Sequence, residues 1–64
     1  MEFIVKWYDH GELMDCARVS YFHAVRLLKG EGVEESAASL ALDNGIGLDL
    51  FTSDGYLMTF EKVE

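Results

Sequence analysis

The side chains able to do covalent or metal chemistry in this chain are few: Cys16, His10, His23 and the neighbouring Asp15. A structural zinc site wants four soft or borderline ligands at short, repeated spacings. The chain has neither a Cys-x-x-Cys nor a His-x-x-x-His pair. The expectation is a small buried, structural cysteine, two ordinary histidines and no metal. Asp43-Asn44-Gly45 lacks the loop length and terminal Glu of a calcium loop. Cys16 and His23 lie seven apart, with Asp15 adjacent to the thiol. A reactive thiolate needs a cationic or dipolar setting, which this acidic sequence does not offer. Gly45-Ile46-Gly47 is a fragment of a phosphate-binding loop, yet Asp43 and Asp49 flank it where a phosphate cradle wants Lys or Arg. These residues predict a protein that is not an enzyme, with no catalytic residues and no cofactor.

Binding chemistry is better represented. From Gly30 to Glu61 the chain carries Glu31, Glu34, Glu35, Asp43, Asp49, Asp54 and Glu61, and no Lys or Arg. The first 29 residues balance four acids (Glu2, Asp9, Glu12, Asp15) against four bases (Lys6, Arg18, Arg26, Lys29). The net charge of −7 therefore arises in the second half. A one-sign field repels nucleic acid and anionic membrane and attracts basic surfaces. Trp7, Tyr8, Tyr21, Phe22 and Tyr56 have rings that stack on bases. Duplex affinity, however, comes mainly from Lys and Arg displacing counterions, and five bases stand against twelve acids. The seven carboxylates are the candidate partner-binding residues. Their partner would be a basic protein surface, not nucleic acid itself and not a membrane. An acidic run is usually a solubilising face. Confinement to one half of the chain is what favours a binding surface, and the separate elements give the acids room to tile one face.

The elements must position these groups. Sixty-four residues, half of them hydrophobic, make a single domain (1–64) near the lower size limit for independent folding. A lone cysteine forms no internal disulfide, the N-terminus lacks the pattern of a signal peptide, and no apolar run is long enough to span a bilayer. Together these predict a cytoplasmic protein.

Residues 2–8 read as a strand, with Phe3, Val5 and Trp7 on one face and Ile4, Lys6 and Tyr8 on the other. Asp9-His10-Gly11-Glu12 reads as a hairpin loop. A second strand runs from Glu12 to about Val19, Met14 and Cys16 alternating against Leu13, Asp15 and Ala17. Ser20 is the expected N-cap of a helix whose stripe is Tyr21, Ala24, Val25 and Leu28, flanked by Leu27, with Gly30 as its stop. Residues 33–44 read as a second helix, with Val33, Ala37, Leu40 and Ala41 on its face and Gly45 as its stop. The rival reading makes 37–42 a strand and Asn44-Gly45 a hairpin turn. Two strands follow: Ile46, Leu48 and Leu50 alternate with Gly47, Asp49 and Phe51, and, after Ser53-Asp54-Gly55, Tyr56, Met58 and Phe60 alternate with Leu57, Thr59 and Glu61. The order ββααββ predicts an α+β fold, one antiparallel sheet of about four strands with the helices on one face.

In size, acidity and element order the chain resembles the small acidic anti-CRISPR proteins encoded by phages and mobile elements. They share no motif, so no functional residue carries over by position. The resemblance implies a compact cytoplasmic domain in a bacterial host, monomeric or weakly dimeric. It also implies an inhibitor that mimics DNA and blocks DNA or PAM recognition on a subunit of a type I surveillance complex. The alternative is an antitoxin-like or accessory interaction module, binding through Trp7, Tyr8, Phe51 or an unpaired strand edge.

Overall fold

The computed structural model describes residues 1–44 and 48–63. Strand β1 (Glu2–Asp9) and strand β2 (Glu12–Ser20) form a hairpin. Helices α1 (Tyr21–Gly30) and α2 (Glu35–Asp43) follow, then strands β3 (Leu48–Phe51) and β4 (Leu57–Val63). The sheet is antiparallel throughout, in the order β2-β1-β4-β3. The predicted ββααββ order and α+β class hold.

The β1–β2 turn is made by His10 and Gly11, both at positive φ (49° and 82°). Two such central residues define a type I′ turn, whose twist matches that of the flanking strands. Beyond it the register slips between Trp7 and Tyr8. Leu13 pairs with Tyr8 and Asp15 with Trp7, leaving Met14 as the extra residue of a bulge. The simple alternation expected for β2 therefore breaks at Met14: Leu13 and Cys16 share a face across it.

Helix α1 forms as its sequence predicts at its start. Ser20 Oγ accepts the His23 backbone N–H at 3.2 Å, satisfying one of the free donors of the first turn. Ala24, Val25 and Leu28 are buried, with Tyr21 and Leu27 packed beside them. The predicted stop is corrected. Gly30 is the last helical residue, and the left-handed position belongs to Gly32, at φ 90°. Gly32 N–H donates to the Lys29 carbonyl and Val33 N–H to the Leu28 carbonyl, each at 3.0 Å. Both bonds of a Schellman motif are thus present, and Val33 closes it against the core.

Helix α2 exists where helix was favoured over strand, but its inward face lies elsewhere. Ala38 and Leu42 are buried, one turn apart, with Ala41 half-buried, while Ala37 and Leu40 point outward. Gly45, Ile46 and Gly47 lie outside the described residues, so the predicted stop and the first part of the third strand are not placed. The β3–β4 turn is held by Thr52, whose N–H donates to the Tyr56 carbonyl at 2.8 Å and whose carbonyl accepts from Gly55 at 3.0 Å. Tyr56 belongs to that turn rather than to β4.

One core results. Phe3 and Val5 of β1, Val19 of β2, and Met58 and Phe60 of β4 meet Ala24, Val25 and Leu28 of α1 and Ala38 and Leu42 of α2. Leu48 and Leu50 of β3 pack against its margin. All the sheet residues in this set lie on one face by register. The helices cover that face and leave the other open.

Candidate functional surfaces

The groups with covalent or metal chemistry are not brought together. Cys16 is not buried as expected but exposed on the open side of β2, because its register opposite Lys6 turns it away from the helices; His10 sits in the β1–β2 turn, and His23 is exposed on α1. His10 Nδ1 lies 2.7 Å from Asp9 Oδ1, and the Asp15 carboxylate accepts the Cys16 backbone N–H at 2.8 Å. Both are local contacts between sequence neighbours. Among the described residues, no group of three or more His, Cys, Asp and Glu is arranged to hold a metal, and no buried residue is polar or charged. No helix among them is long and apolar enough to cross a membrane.

The seven candidate carboxylates all reach the surface, but they divide between two sides. Glu34 and Glu35 start α2, Asp43 ends it, and Glu31 lies in the α1–α2 connection. These four belong to the helical side. Asp49 and Glu61 alternate with buried or core-facing neighbours on β3 and β4, so they project from the open face. Asp54 lies in the β3–β4 turn. Of the seven, only Glu35 has an ion pair among the described residues, with Lys29 at 3.6 Å. The helical group therefore spans both ends of α2 and its approach, with one ion pair among the described residues, and the three remaining acids do not extend it.

The open face has a pattern of its own, visible only once strand register is known. Residues opposite one another in an antiparallel ladder project to the same side. One row across the four strands reads Leu13, Tyr8, Leu57 and Phe51, apolar or aromatic throughout. The next reads Cys16, Lys6, Thr59 and Asp49, and a third runs Arg18, Ile4 and Glu61. Lys6 and Arg18 thus lie on the β2–β1 half and Asp49 and Glu61 on the β4–β3 half, while Glu2, the next residue of β1 on this face, pairs with Arg18. Leu13 and Phe51 are strongly exposed, at 51% and 74%. Arg18 is held by Glu2 at 2.6 Å. Trp7, expected as a contact residue, faces the core side, half-buried against the cluster.

Sequence reasoning missed this row because Leu13 and Leu57 are unremarkable one strand at a time. The available signal was that β1 and β4 are apolar on both faces. No protein-family model, curated protein or solved structure matches the chain.

Proposed function

We propose that this protein is a non-enzymatic inhibitor that binds a basic, nucleic-acid-binding surface on another protein, presenting carboxylates where that surface normally meets phosphates. In its sharpest form it is an anti-CRISPR protein blocking DNA or PAM recognition by a type I surveillance complex. The observation that carries this reading is the helical acidic group: Glu31, Glu34, Glu35 and Asp43 on one side of the fold, with a single ion pair among them. A preorganised carboxylate surface steers association with Lys and Arg groups and competes with the phosphates they bind. Asp49, Asp54 and Glu61 contribute to the general field rather than to the contact.

The test is a duplex-binding assay on a purified type I surveillance complex, with and without this protein. The wild type is expected to prevent the complex from shifting its target DNA. The variant Glu34→Lys/Glu35→Lys/Asp43→Lys, with circular dichroism unchanged, is expected to lose that inhibition. Inhibition undiminished in the triple variant, or absent from the wild type, overturns the reading.

A second reading, an antitoxin-like or accessory module, is favoured by the exposed Leu13 and Phe51. It keeps a protein partner but moves the contact to the sheet. Binding that survives excess duplex DNA and high salt would select it.

A further inference from the structure

We infer that the open face of the sheet is a self-complementary surface that packs against a second copy of this chain. The pattern of the three rows carries the argument. The strand order β2-β1-β4-β3 places a natural axis between β1 and β4, parallel to the strands. A two-fold rotation about that axis lays two open faces together, with β3 of one copy over β2 of the other and β4 over β1. In the apolar row, Phe51 then meets Leu13 of the second copy, and Leu57 meets its Tyr8. In the next row, Lys6 comes to lie over Thr59 of the second copy, beside its Asp49. In the third, Glu61 lies over Ile4 of the second copy, beside its Arg18. Each contact occurs twice, as an isologous interface requires.

Within one chain Lys6 and Asp49 are separated by the width of β4 and form no ion pair among the described residues. Across the axis they are brought within a side chain's reach. A uniformly acidic face would repel its own copy. This face carries both signs: Glu2 is taken up by Arg18, Lys6 on β1 stands apart from Asp49 and Glu61 on β3 and β4, and the larger acidic group lies on the helical side, away from the contact.

The alternatives on the sheet are less suited. β2, the long edge, is interrupted by its bulge at Met14, and the Asp15 carboxylate occupies the Cys16 N–H beside it. β3, the other edge, carries the acidic Asp49 among its described residues. Bulges and charges are features that discourage edge-to-edge pairing.

The size of the face sets the strength. Four strands about 4.8 Å apart and about seven residues long, at about 3.3 Å per residue, give a flat area of roughly 400 Å² per copy. Side-chain relief adds to this, and two copies together approach the lower end of specific interfaces, about 1,200 Å². The dimer is therefore concentration-dependent rather than obligate. Oligomerisation is also a usual supplement to the core of so small a domain. The packing is that of two aligned sheets about 10 Å apart.

Sedimentation velocity over a wide concentration range tests this on the whole chain. The wild type is expected to pass from monomer to dimer. Leu57→Lys is expected to remain monomeric, and Phe22→Lys, on the helical side, to dimerise as the wild type does. Lys6→Glu is expected to weaken the dimer at least tenfold, and Lys6→Glu/Asp49→Lys to restore it, because the swap exchanges the signs in both copies. Restoration is a readout that mere damage to the fold would not produce. A wild type monomeric throughout, a dimer unaffected by Leu57→Lys, or no restoration by the charge swap overturns the inference. The inhibition assay above reads the helical side, so either result leaves the other intact.

Discussion

Under the helices, Phe3, Val5, Val19, Met58 and Phe60 are at most 6% exposed, whereas on the opposite face of the same sheet Leu13 and Phe51 are 51% and 74% exposed. The covered face is apolar where the helices lie on it, with the exposed Asp15 and Lys62 on the same side, and meets a matching apolar layer. The open face alternates an apolar row with rows of mixed charge. An antiparallel sheet with one face in water ordinarily presents polar residues there, so the apolar row marks a surface whose role is not exhausted by the fold of one chain. The difference separates the two faces: residues under the helices hold the domain together, and the exposed residues of the open face contribute little to that.

Substitutions can break that separation or sharpen it. The largest effect is expected under the helices. Leu28 is fully buried, and Leu28→Ala should cost about 2–5 kcal/mol by lost burial and cavity formation. That is a large part of the total stability of a domain this size, and urea titration would read it directly.

An intermediate effect is expected where the helical layer begins its return. Gly32 is at positive φ, so Gly32→Ala should destabilise by about 1–2 kcal/mol. Gly30 is helical, and a methyl group added there would project into open space. Gly30→Ala should therefore stabilise by up to about 1 kcal/mol. Opposite signs in thermal melts of the two variants would place the left-handed position that follows α1 at Gly32; like signs would argue against it.

The smallest effect belongs to the open face. Phe51→Ser should change the stability of the monomer by less than about 0.5 kcal/mol, as for an ordinary surface site, when measured in dilute solution. A larger loss there would mean that the open face also supports the single chain.

The parts of the fold that were legible from residue types are those with local chemistry. Ser20 before a clear apolar stripe, Gly11 in a short polar turn and the alternation around Met58 and Phe60 each carry their own signal. Helix α2 was harder to orient. Ala37, Ala38 and Ala41 are nearly equivalent in a Ser- and Ala-rich run, so Leu40 pulled the expected stripe away from the true one through Ala38 and Leu42. At the end of α1 two glycines competed, and the hydrogen bonds to Leu28 and Lys29 select the second. The bulge at Met14 depends on a pairing partner, so alternation in β2 alone could not reveal it. The same holds for the candidate surfaces. The seven acids were evident by type, but their division between two sides follows from which strand lies beside which.

The pairing of β1 with β4 joins nearly opposite ends of the sequence at the centre of the sheet: Glu2 lies opposite Val63, and Tyr8 opposite Leu57. On a ribosome, β1 emerges early and finds β2 at once, yet its other edge stays bare until β4 has been made. The first hairpin can gain its helical cover before that, but not its neighbours Met58 and Phe60. Closing so long a stretch of chain is an entropic barrier that local contacts cannot relieve. The pairing that completes the sheet thus waits on the most distant contact in the fold, and the partly formed sheet is most open to misassociation before it.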